Sequence, residues 1–432
     1  MYNKNNFHAE GAFLRFDKMN HAELTAERNK YAAALEKYIT AKRALNMARG
    51  RPEAAQLALS NGLLDCVSQN DFISEDGTDC RNYLGLDGLF EMKRLFAEIF
   101  GTSPERVIVG GNSSLNMMFD CIQTFLYKLW RAPVKFICPV PGYDRHFTVC
   151  EYLNIEMATV PMTHDGPDAD AVERLAADPA YAGMWCVPVF SNPQGYVYSD
   201  ETVKRLASMK TANENFRLIW DDAYAVHHFR GEPPEVKNII DACAERGNQD
   251  RPVVFTSFSK ISFAGGGVAA LAASEKNLRI FRERLTAQTV GPDKLNQLRH
   301  ARFFKNLSGI RSHMNKHAEI LRPKFDLVNK IFAERLEPTG AAEWTKPDGG
   351  YFISVETQNG CAKRVVALCA DAGLEVTGAG ATYPYKNDPN DSNIRIAPSS
   401  LSLVELETAL GIFCLAANLA AAEKLIHGEN YA

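Results

Sequence analysis

Four polar residues, each placed after an apolar run, give the sequence its clearest chemical signal. Lys260 ends a Ser-Phe-Ser-Lys turn that leads into a run of glycines. Upstream of it stand Asp221 and Tyr224, three residues apart, and before them Asn192 in an Asn-Pro-Gln-Gly turn. A lysine amine can hold an aldehyde as an imine, an acid can keep a pyridine nitrogen protonated, and a phenol and an amide can bond to a ring oxygen. The order predicts a site for a cofactor with these groups.

Each of the four residues has a simpler interpretation when it is taken alone. A lysine is usually a solvated surface charge, an acid after a strand is often a helix N-cap, and Asn-Pro is a common turn. Tyr224 alone would be a half-buried aromatic residue. These interpretations would all have to hold together, whereas pyridoxal 5′-phosphate (PLP) accounts for the whole order. The sequence therefore favours a PLP site in which Lys260 forms the Schiff base.

A second pattern predicts where the phosphate of such a cofactor would bind. Gly111, Asn112 and Ser113 lead from an apolar run into a predicted helix. Backbone N–H groups and the helix dipole make such a turn an anion site, and Ser257 could add a hydroxyl donor. Tyr143, in a Pro-Gly-Tyr turn after another apolar run, could stack on a flat ring. Either turn would be weak evidence in isolation.

Composition limits the class of protein. The chain has 432 residues, 46% of them apolar and 23% charged, with a net charge of −4, which is ordinary for a globular protein of about two domains. It predicts neither a nucleic-acid nor a membrane partner. The ten cysteines stand singly, with no metal-binding spacing, and the polar amino terminus lacks a signal-peptide core. We expect free thiols, no metal site and a cytoplasmic location.

Alternating apolar runs and helix-like segments predict how these residues are positioned. A mainly parallel sheet with helices on both faces is expected, because such sheets bind ligands where their strands end. The predicted strands are Val107–Val109, Lys135–Cys138, Met184–Phe190, Arg217–Trp220, Val253–Phe255 and Val268–Ala272. The predicted helices between them are Leu115–Leu129, Asp168–Ala176 and Glu201–Lys210.

The flanking segments predict a second domain. Helices are expected at Ala22–Met47 and over residues 308–335, and strands at Gly349–Val355 and Asn393–Ala397. Ser402 and Glu405 form a capping box that opens the last helix. That helix contains the most apolar stretch, Leu410–Ala422, which is shorter than the roughly 20 residues that span a bilayer. We expect a large PLP-binding domain at 59–305, and a small α+β domain made of 1–58 and 306–432.

Taken together, these motifs resemble the fold-type I, PLP-dependent aminotransferases of class I/II over most of the chain. The resemblance implies an α/β fold with a seven-stranded-type, mainly parallel sheet and a smaller α+β domain. It places Gly111, Asn112, Ser113 and Ser257 at the phosphate, Tyr143 on the ring, and Asn192 and Tyr224 at the phenolic oxygen. It also makes Asp221 the ring-nitrogen acid and Lys260 the imine lysine.

Further positions take their roles from the resemblance alone. Tyr83, in a Tyr-x-x-x-x-Gly stretch, matches the tyrosine that reaches the phosphate of the neighbouring subunit, which implies a homodimer. Arg395 matches the arginine that binds the substrate α-carboxylate, together with Gly50 and Asn192. The nearest likeness is to the aspartate aminotransferase and MocR-type subgroup, carried by Arg-Gly-Arg-Pro around Gly50 and by Tyr-Asp-Arg-His-Phe after Gly142.

The sequence departs from the family at two places. Most relatives carry a phosphate-binding arginine seven or eight residues after the lysine, where this chain has Gly267 and Val268. Another cation could replace it, or hydroxyls and backbone amides could suffice together with Tyr83 from the neighbouring subunit. A cation for a distal substrate carboxylate is also not assigned, because the loop before residue 297 offers only Lys294. Arg15, Lys18 and Arg145 are the other candidates, each equally well a solvated surface charge.

The resemblance implies a ping-pong transfer of an α-amino group from an amino acid, with L-aspartate or L-glutamate favoured, to a 2-oxo acid. Lys260 would act as base and then as acid at Cα. Another PLP reaction, such as β-elimination, decarboxylation or racemisation, is the alternative, since a fold does not fix a reaction. A MocR-type transcription regulator is disfavoured, because no DNA-binding segment precedes residue 50 and no basic patch replaces it.

Overall fold

The largest element of the protein is a sheet of eight strands, and the predicted site lies at the carboxyl ends of its central strands. The computed structural model describes residues 15–41, 44–83, 85–131 and 133–428. The described strands are, in chain order, β1 (Leu45–Asn46), β2 (Val107–Val109), β3 (Lys135–Val140), β4 (Glu156–Thr163), β5 (Gly166–Pro167), β6 (Tyr181–Cys186), β7 (Arg217–Asp221), β8 (Pro252–Ser257), β9 (Ala269–Ala273), β10 (Ala342–Trp344), β11 (Ile353–Thr357), β12 (Leu374–Glu375) and β13 (Asn393–Ile396).

The helices cover both faces of this sheet and build the second domain. The described α-helices are α1 (His21–Ala41), α2 (Ala54–Ala58), α3 (Phe90–Phe100), α4 (Ser114–Phe125), α5 (Asp144–Tyr152), α6 (Ala169–Ala176), α7 (Asp200–Ser208), α8 (Ile239–Ala244), α9 (Glu275–Gln288), α10 (Lys294–Phe304), α11 (Leu307–Arg335), α12 (Ala362–Asp371) and α13 (Leu403–His427).

The large sheet has the strand order β2-β9-β8-β7-β6-β3-β4-β5. The pairs from β8 through β7, β6 and β3 to β4 are parallel, whereas β9 runs antiparallel to both β8 and β2. The eighth strand, β5, is a two-residue antiparallel edge. The mainly parallel, seven-stranded-type sheet expected from the sequence is therefore confirmed.

Burial on both faces of the sheet explains why the central strands are continuous apolar runs in the sequence. Leu218 and Trp220 of β7 pack with helices on one face of the sheet, and Ile219 packs with helices on the other. Side chains of a strand alternate between faces, so a strand covered on both sides needs apolar residues at every position. Because β9 runs antiparallel to both β2 and β8, β2 points the same way as β8, and the carboxyl ends of these two strands lie at the same edge of the sheet.

A second core joins the two ends of the chain. Residues from 16 to 47 pack there with residues from 318 to 422, around α1, α13, the sheet β10-β11-β13 and the pair β1-β12. Helix α11 connects the two cores, since Ile310 and Met314 lie in the large-sheet core and Phe325 and Phe332 in the second. This packing supports the proposed division into 59–305 and the two flanking segments; residues 1–14 of the small domain lie outside the described residues.

Several predicted boundaries were wrong in ways that have physical reasons. The strand predicted at Met184–Phe190 is Tyr181–Cys186, because Phe190 adopts a left-handed φ of 49° and the chain turns toward the site. The helix predicted at Ala22–Met47 ends at Ala41, and Leu45–Asn46 pairs with β12. Strand β4 was missed because only Met157 and Val160 of its eight residues are buried, so it does not form a continuous apolar run.

The last helix begins where the sequence predicted it to begin. Helix α13 opens with the expected capping box of Ser402 and Glu405, but it runs from Leu403 to His427, well beyond the apolar stretch. Within the described residues it is the one helix long and apolar enough to cross a membrane, and 78% of its most apolar window is buried inside the protein. Its apolar character is therefore accounted for by the core of the small domain.

Candidate active site

The turns that follow five strands converge on one cavity at the carboxyl edge of the sheet. They come after β2, β3, β6, β7 and β8, as the rule for open α/β sheets requires. The cavity has a volume of about 150 Å³. Its lining residues are Ser113, Ser114, Leu115, Tyr143, Val187, Asn192, Asp221, Ala223, Tyr224, Ser257, Ser259 and Lys260.

Lys260 presents its amine to this cavity. The Nζ atom lies 5.1 Å from the centre of the Tyr224 ring. Burial, opposed by the negative charge of Asp221, lowers the pKa of Lys260. Its backbone carbonyl accepts a hydrogen bond of 3.3 Å from the hydroxyl of Tyr351, which in turn accepts one of 3.0 Å from Gln56. The backbone of Lys260 is thus held by Tyr351, and its amine loses a proton more readily than an exposed lysine amine does.

Asp221 closes strand β7 as a buried carboxylate with one oxygen left over. Its Oδ2 atom lies 3.0 Å from Nε2 of His146, whose ring stacks on Trp185 with a centroid separation of 4.0 Å. Its Oδ1 atom is buried and has no hydrogen-bond partner. A buried unpaired carboxylate oxygen is unfavourable unless something donates to it. The protonated nitrogen of a pyridine ring is such a donor, so this residue fits the expected cofactor.

The phosphate turn has the geometry expected of an anion cradle. Gly111 adopts a φ of 69°, a left-handed conformation in which a glycine is favoured. Ser113 caps α4, and its Oγ accepts a hydrogen bond from the backbone of Asn116. On the facing turn, the hydroxyl oxygens of Ser257 and Ser259 lie 2.6 Å apart. Serine residues of both turns and the first residues of α4 therefore line the same cavity, whereas Asn112 lies on its turn without lining it.

The structure explains the missing arginine after Lys260. A Cβ atom at Gly267 would lie 2.8 Å from the backbone oxygen of Asn112 and 2.9 Å from the backbone nitrogen of Ser259. Val268 is 2% exposed and belongs to the core beneath the sheet. Neither position has room for a guanidinium group. The two turns approach each other closely around Gly267, which supports the alternative of binding by hydroxyls and backbone amides.

Three further side chains surround the space in front of Lys260. Burial raises the pKa of Tyr224 far above its ordinary value, so its hydroxyl stays a donor. Burial likewise raises the pKa of Tyr143 to about 12, and the Tyr143 ring meets the His146 ring edge to face at 5.0 Å. Asn192 is 4% exposed and also lines the cavity. The predicted ring-binding residues are therefore brought together.

Arg395 lies beside this group and is held on several sides. Its Nη1 atom donates to Oδ1 of Asp144 at 2.7 Å and to Oδ1 of Asn192 at 3.2 Å. Its guanidinium carbon lies 4.7 Å from the centre of the Phe352 ring. A Cβ atom at Gly50 would lie 2.8 Å from that ring, so the glycine lets the segment approach it. The predicted carboxylate-binding residues thus meet next to Asn192.

Other predicted residues lie apart from the cavity. Tyr83 is 70% exposed and does not line it. Arg15 pairs with Asp17 and lies against Gly340, in the small domain. Among the cations considered for a distal carboxylate, Arg145 is the nearest in sequence to the site, directly before His146.

Sequence reasoning assigned no role to three residues that the structure brings to the site. His146 bonds to Asp221, Asp144 bonds to Arg395, and Tyr351 bonds to the backbone of Lys260. The sequence contained a signal for His146, because it lies three residues after Tyr143, which was already predicted to be in the site. Residues three apart share one face of a helix. The contacts of Asp144 and Tyr351 join segments more than 90 residues apart, which no local pattern reveals.

Comparisons with known proteins agree on one family. The family model described as aspartate amino-transferase matches residues 19–429. An aspartate aminotransferase of Corynebacterium glutamicum is 45% identical over 388 residues, which cover 88% of this chain and 90% of that protein. The crystal structure of an aspartate transaminase from Corynebacterium glutamicum is 41% identical, with a TM-score of 0.91, over 95% of this chain and 99% of the other.

A more distant structure shares the fold alone. It is the α-aminoadipate aminotransferase of Thermus thermophilus, which is complexed with N-(5′-phosphopyridoxyl)-L-leucine. It is 19% identical to this chain and superposes with a TM-score of 0.73, covering 91% of this chain and 95% of its own. The architecture is therefore retained at low sequence identity.

Proposed function

The chain belongs to the aspartate aminotransferase family, and on that premise we propose that it moves the α-amino group of L-aspartate or L-glutamate to a 2-oxo acid, with pyridoxal 5′-phosphate held on Lys260. The aminotransferase activity and the fold-type I architecture predicted from the sequence are confirmed by this membership. One observation carries the proposal. The amine of Lys260 and the buried, unpartnered oxygen of Asp221 belong to the same small cavity.

The residues around the cavity divide the work of holding the cofactor. Ser113, Ser257 and the N-terminus of α4 would hold the phosphate, with Gly111 and Asn112 shaping the turn. Tyr143 would stack on the ring, and Asp221 would keep the ring nitrogen protonated through its free oxygen. When bound, the cofactor supplies an aldehyde that condenses with amines and a ring that accepts electrons from the substrate Cα.

The protein's own groups then bind the substrate and move a proton. Arg395 would bind the α-carboxylate beside Asn192 and Gly50, since its planar fork suits a carboxylate. Lys260, with its lowered pKa, would take the proton from Cα as a base and return it as an acid. Tyr224 stays protonated because of burial and would donate a hydrogen bond throughout. Two half-reactions at one site would give ping-pong kinetics.

The assembly and the location belong to the same proposal. Tyr83 is largely exposed, which supports its reaching the cavity of a partner in a homodimer. All ten cysteines are free, which supports a reducing compartment such as the cytoplasm. The substrates that the family implies are amino acids and 2-oxo acids.

The first test is the visible absorption spectrum of the purified protein with PLP. We expect a band that disappears on addition of L-aspartate or L-glutamate and returns with a 2-oxo acid, and that is absent from Lys260→Ala. A band that none of L-aspartate, L-glutamate and L-alanine changes would argue for another donor or another PLP reaction. Absence of any band after addition of PLP would contradict the proposal.

A further inference from the structure

The hydrogen bonds of Arg395 to neighbouring side chains engage Nε and Nη1 of its guanidinium group. Nε donates to Thr377 at 3.4 Å, and both contacts of Nη1 go to Asp144 and Asn192. Within the described residues, Nη2 makes no hydrogen bond to a side chain. A carboxylate binds arginine most strongly when it uses two neighbouring N–H groups of the fork. Nη1, which a ligand would use together with Nη2, already donates to the carboxylate of Asp144.

The two partners of this ion pair differ in how firmly they are held. Arg395 is 5% exposed and is fixed by Asn192, Thr377 and the Phe352 ring. The Asp144 side chain is 31% exposed, and within the described part of the chain Arg395 is its one side-chain partner. Asp144 is also the first residue of α5, so its side chain can turn to solvent without disturbing the helix. Of the two, Asp144 is the one that can move.

We propose that Asp144 is an internal competitor for the substrate: its carboxylate occupies Arg395 in the substrate-free enzyme and has to leave it when a substrate α-carboxylate binds. This inference rests on the proposed function of Arg395. An incoming carboxylate would compete with one that is already tethered beside the arginine, and the two would repel each other if both stayed. Asp144 would therefore lower the affinity for every ligand with an α-carboxylate, and keep small anions off Arg395.

The inference predicts an effect on binding with little effect on the chemical step. The contact is lost before the reaction begins, so its removal changes ground-state and transition-state binding equally. If Asp144 occupies Arg395 in nine of ten free molecules, its removal should tighten binding about tenfold. The expected result for Asp144→Asn is a KM for L-aspartate lower by about tenfold, with kcat within about twofold of the original enzyme.

Two ligands isolate the α-carboxylate. 2-Methyl-L-aspartate has both carboxylates and the amine of L-aspartate but no Cα hydrogen, whereas β-alanine is aspartate without its α-carboxylate. Dissociation constants of both are measured on the PLP-loaded enzyme by absorbance titration. Asp144→Asn should bind 2-methyl-L-aspartate about tenfold more tightly and β-alanine as before. Asp144→Glu, which restores the charge, should reverse the gain at least in part.

Control variants separate this inference from its premise. Asp170→Asn removes an aspartate that pairs with Arg205 in the first turn of α6, away from the cavity, and should change neither ligand. Arg395→Lys should weaken 2-methyl-L-aspartate and spare β-alanine; if it affects neither, the proposed function of Arg395 fails, and the inference with it. If Arg395→Lys has its effect but Asp144→Asn leaves affinity unchanged or weakens it, Asp144 only orients the arginine, and the inference alone is wrong. Asp144→Ser, with its melting temperature compared, serves if the asparagine variant does not fold.

Discussion

The carboxyl group of Asp222 should make the stability of this protein fall as the pH rises. Burial, reinforced by the negative charge of Asp221, raises its pKa from 3.8 to about 7. Its Oδ1 atom is buried and has no hydrogen-bond partner, beside a cavity of about 230 Å³ that Trp220 and Asn238 also line. The folded protein therefore keeps a proton on Asp222 that the unfolded chain has already released.

The sign and size of the effect follow from that difference. Between pH 3.8 and about 7 the unfolded chain binds fewer protons at this residue, so the free energy of unfolding falls with pH and then levels off. A pKa difference of about three units corresponds to about 4 kcal/mol at most. Asp222→Asn removes the ionisable group and keeps the shape. It should therefore be more stable than the original protein by about 1 kcal/mol at pH 4.5 and by up to about 4 kcal/mol at pH 8.5.

Urea unfolding at five pH values between 4.5 and 8.5, at one protein concentration, measures this difference. Other titrating groups cancel because they are common to both proteins. Asp165→Asn, at a side chain 73% exposed, is the matched control and should change stability little at any pH. Asp221→Asn should shift the fall in stability to lower pH, since it removes the second cause of the raised pKa. A stability gain for Asp222→Asn that stays constant or shrinks as the pH rises would refute the reasoning.

Two other substitutions test the site. His146→Leu removes the hydrogen bond to Asp221 and leaves its Oδ2 atom without a donor. Loss of a hydrogen bond to a charged group, about 1.5–3 kcal/mol, should slow the single-turnover reaction with L-aspartate about 10- to 100-fold. A rate within twofold of the original would contradict this role. Gly267→Ala places a Cβ atom 2.8 Å from the backbone oxygen of Asn112 and should weaken PLP binding about tenfold or more by separating the two phosphate-binding turns, as measured by cofactor titration. Gly266→Ala is its control, since the nearest atom to its Cβ would be 3.7 Å away, and equal affinities in the two variants would exclude the effect.

The sequence predicted those parts of the site that follow directly from strand ends. Asp221, Asn192 and Lys260 each come soon after an apolar run, and the edge of a parallel sheet collects such residues without further information. The end of β6 was misplaced because Phe190 continues the apolar pattern while its backbone has left the strand. The apolar pattern indicates which residues are buried, not which belong to the strand. In this segment buried residues continue beyond the last residue of β6 that pairs with a neighbouring strand.

Contacts between distant segments were beyond sequence reasoning. The pairing of Arg395 with Asp144 joins β13 to the start of α5, and the hydroxyl of Tyr351 supports the lysine turn from the small domain. Neither residue type is unusual in its own segment. An acidic residue in the first turn of a helix is common because it interacts favourably with the helix dipole. No local feature of the sequence therefore distinguishes Asp144 from any other acidic residue at the start of a helix.

One short segment determines much of the site's electrostatics. Within four residues it supplies Tyr143 beside the ring-binding space, Asp144 against Arg395, and His146 against Asp221. The same helix turn thus contacts the residue proposed for the cofactor nitrogen and the residue proposed for the substrate carboxylate. A shift of α5 would change both contacts together, because the two side chains are attached to one rigid turn. Release of Asp144 by rotation of its side chain alone would instead leave the contact between His146 and Asp221 unchanged.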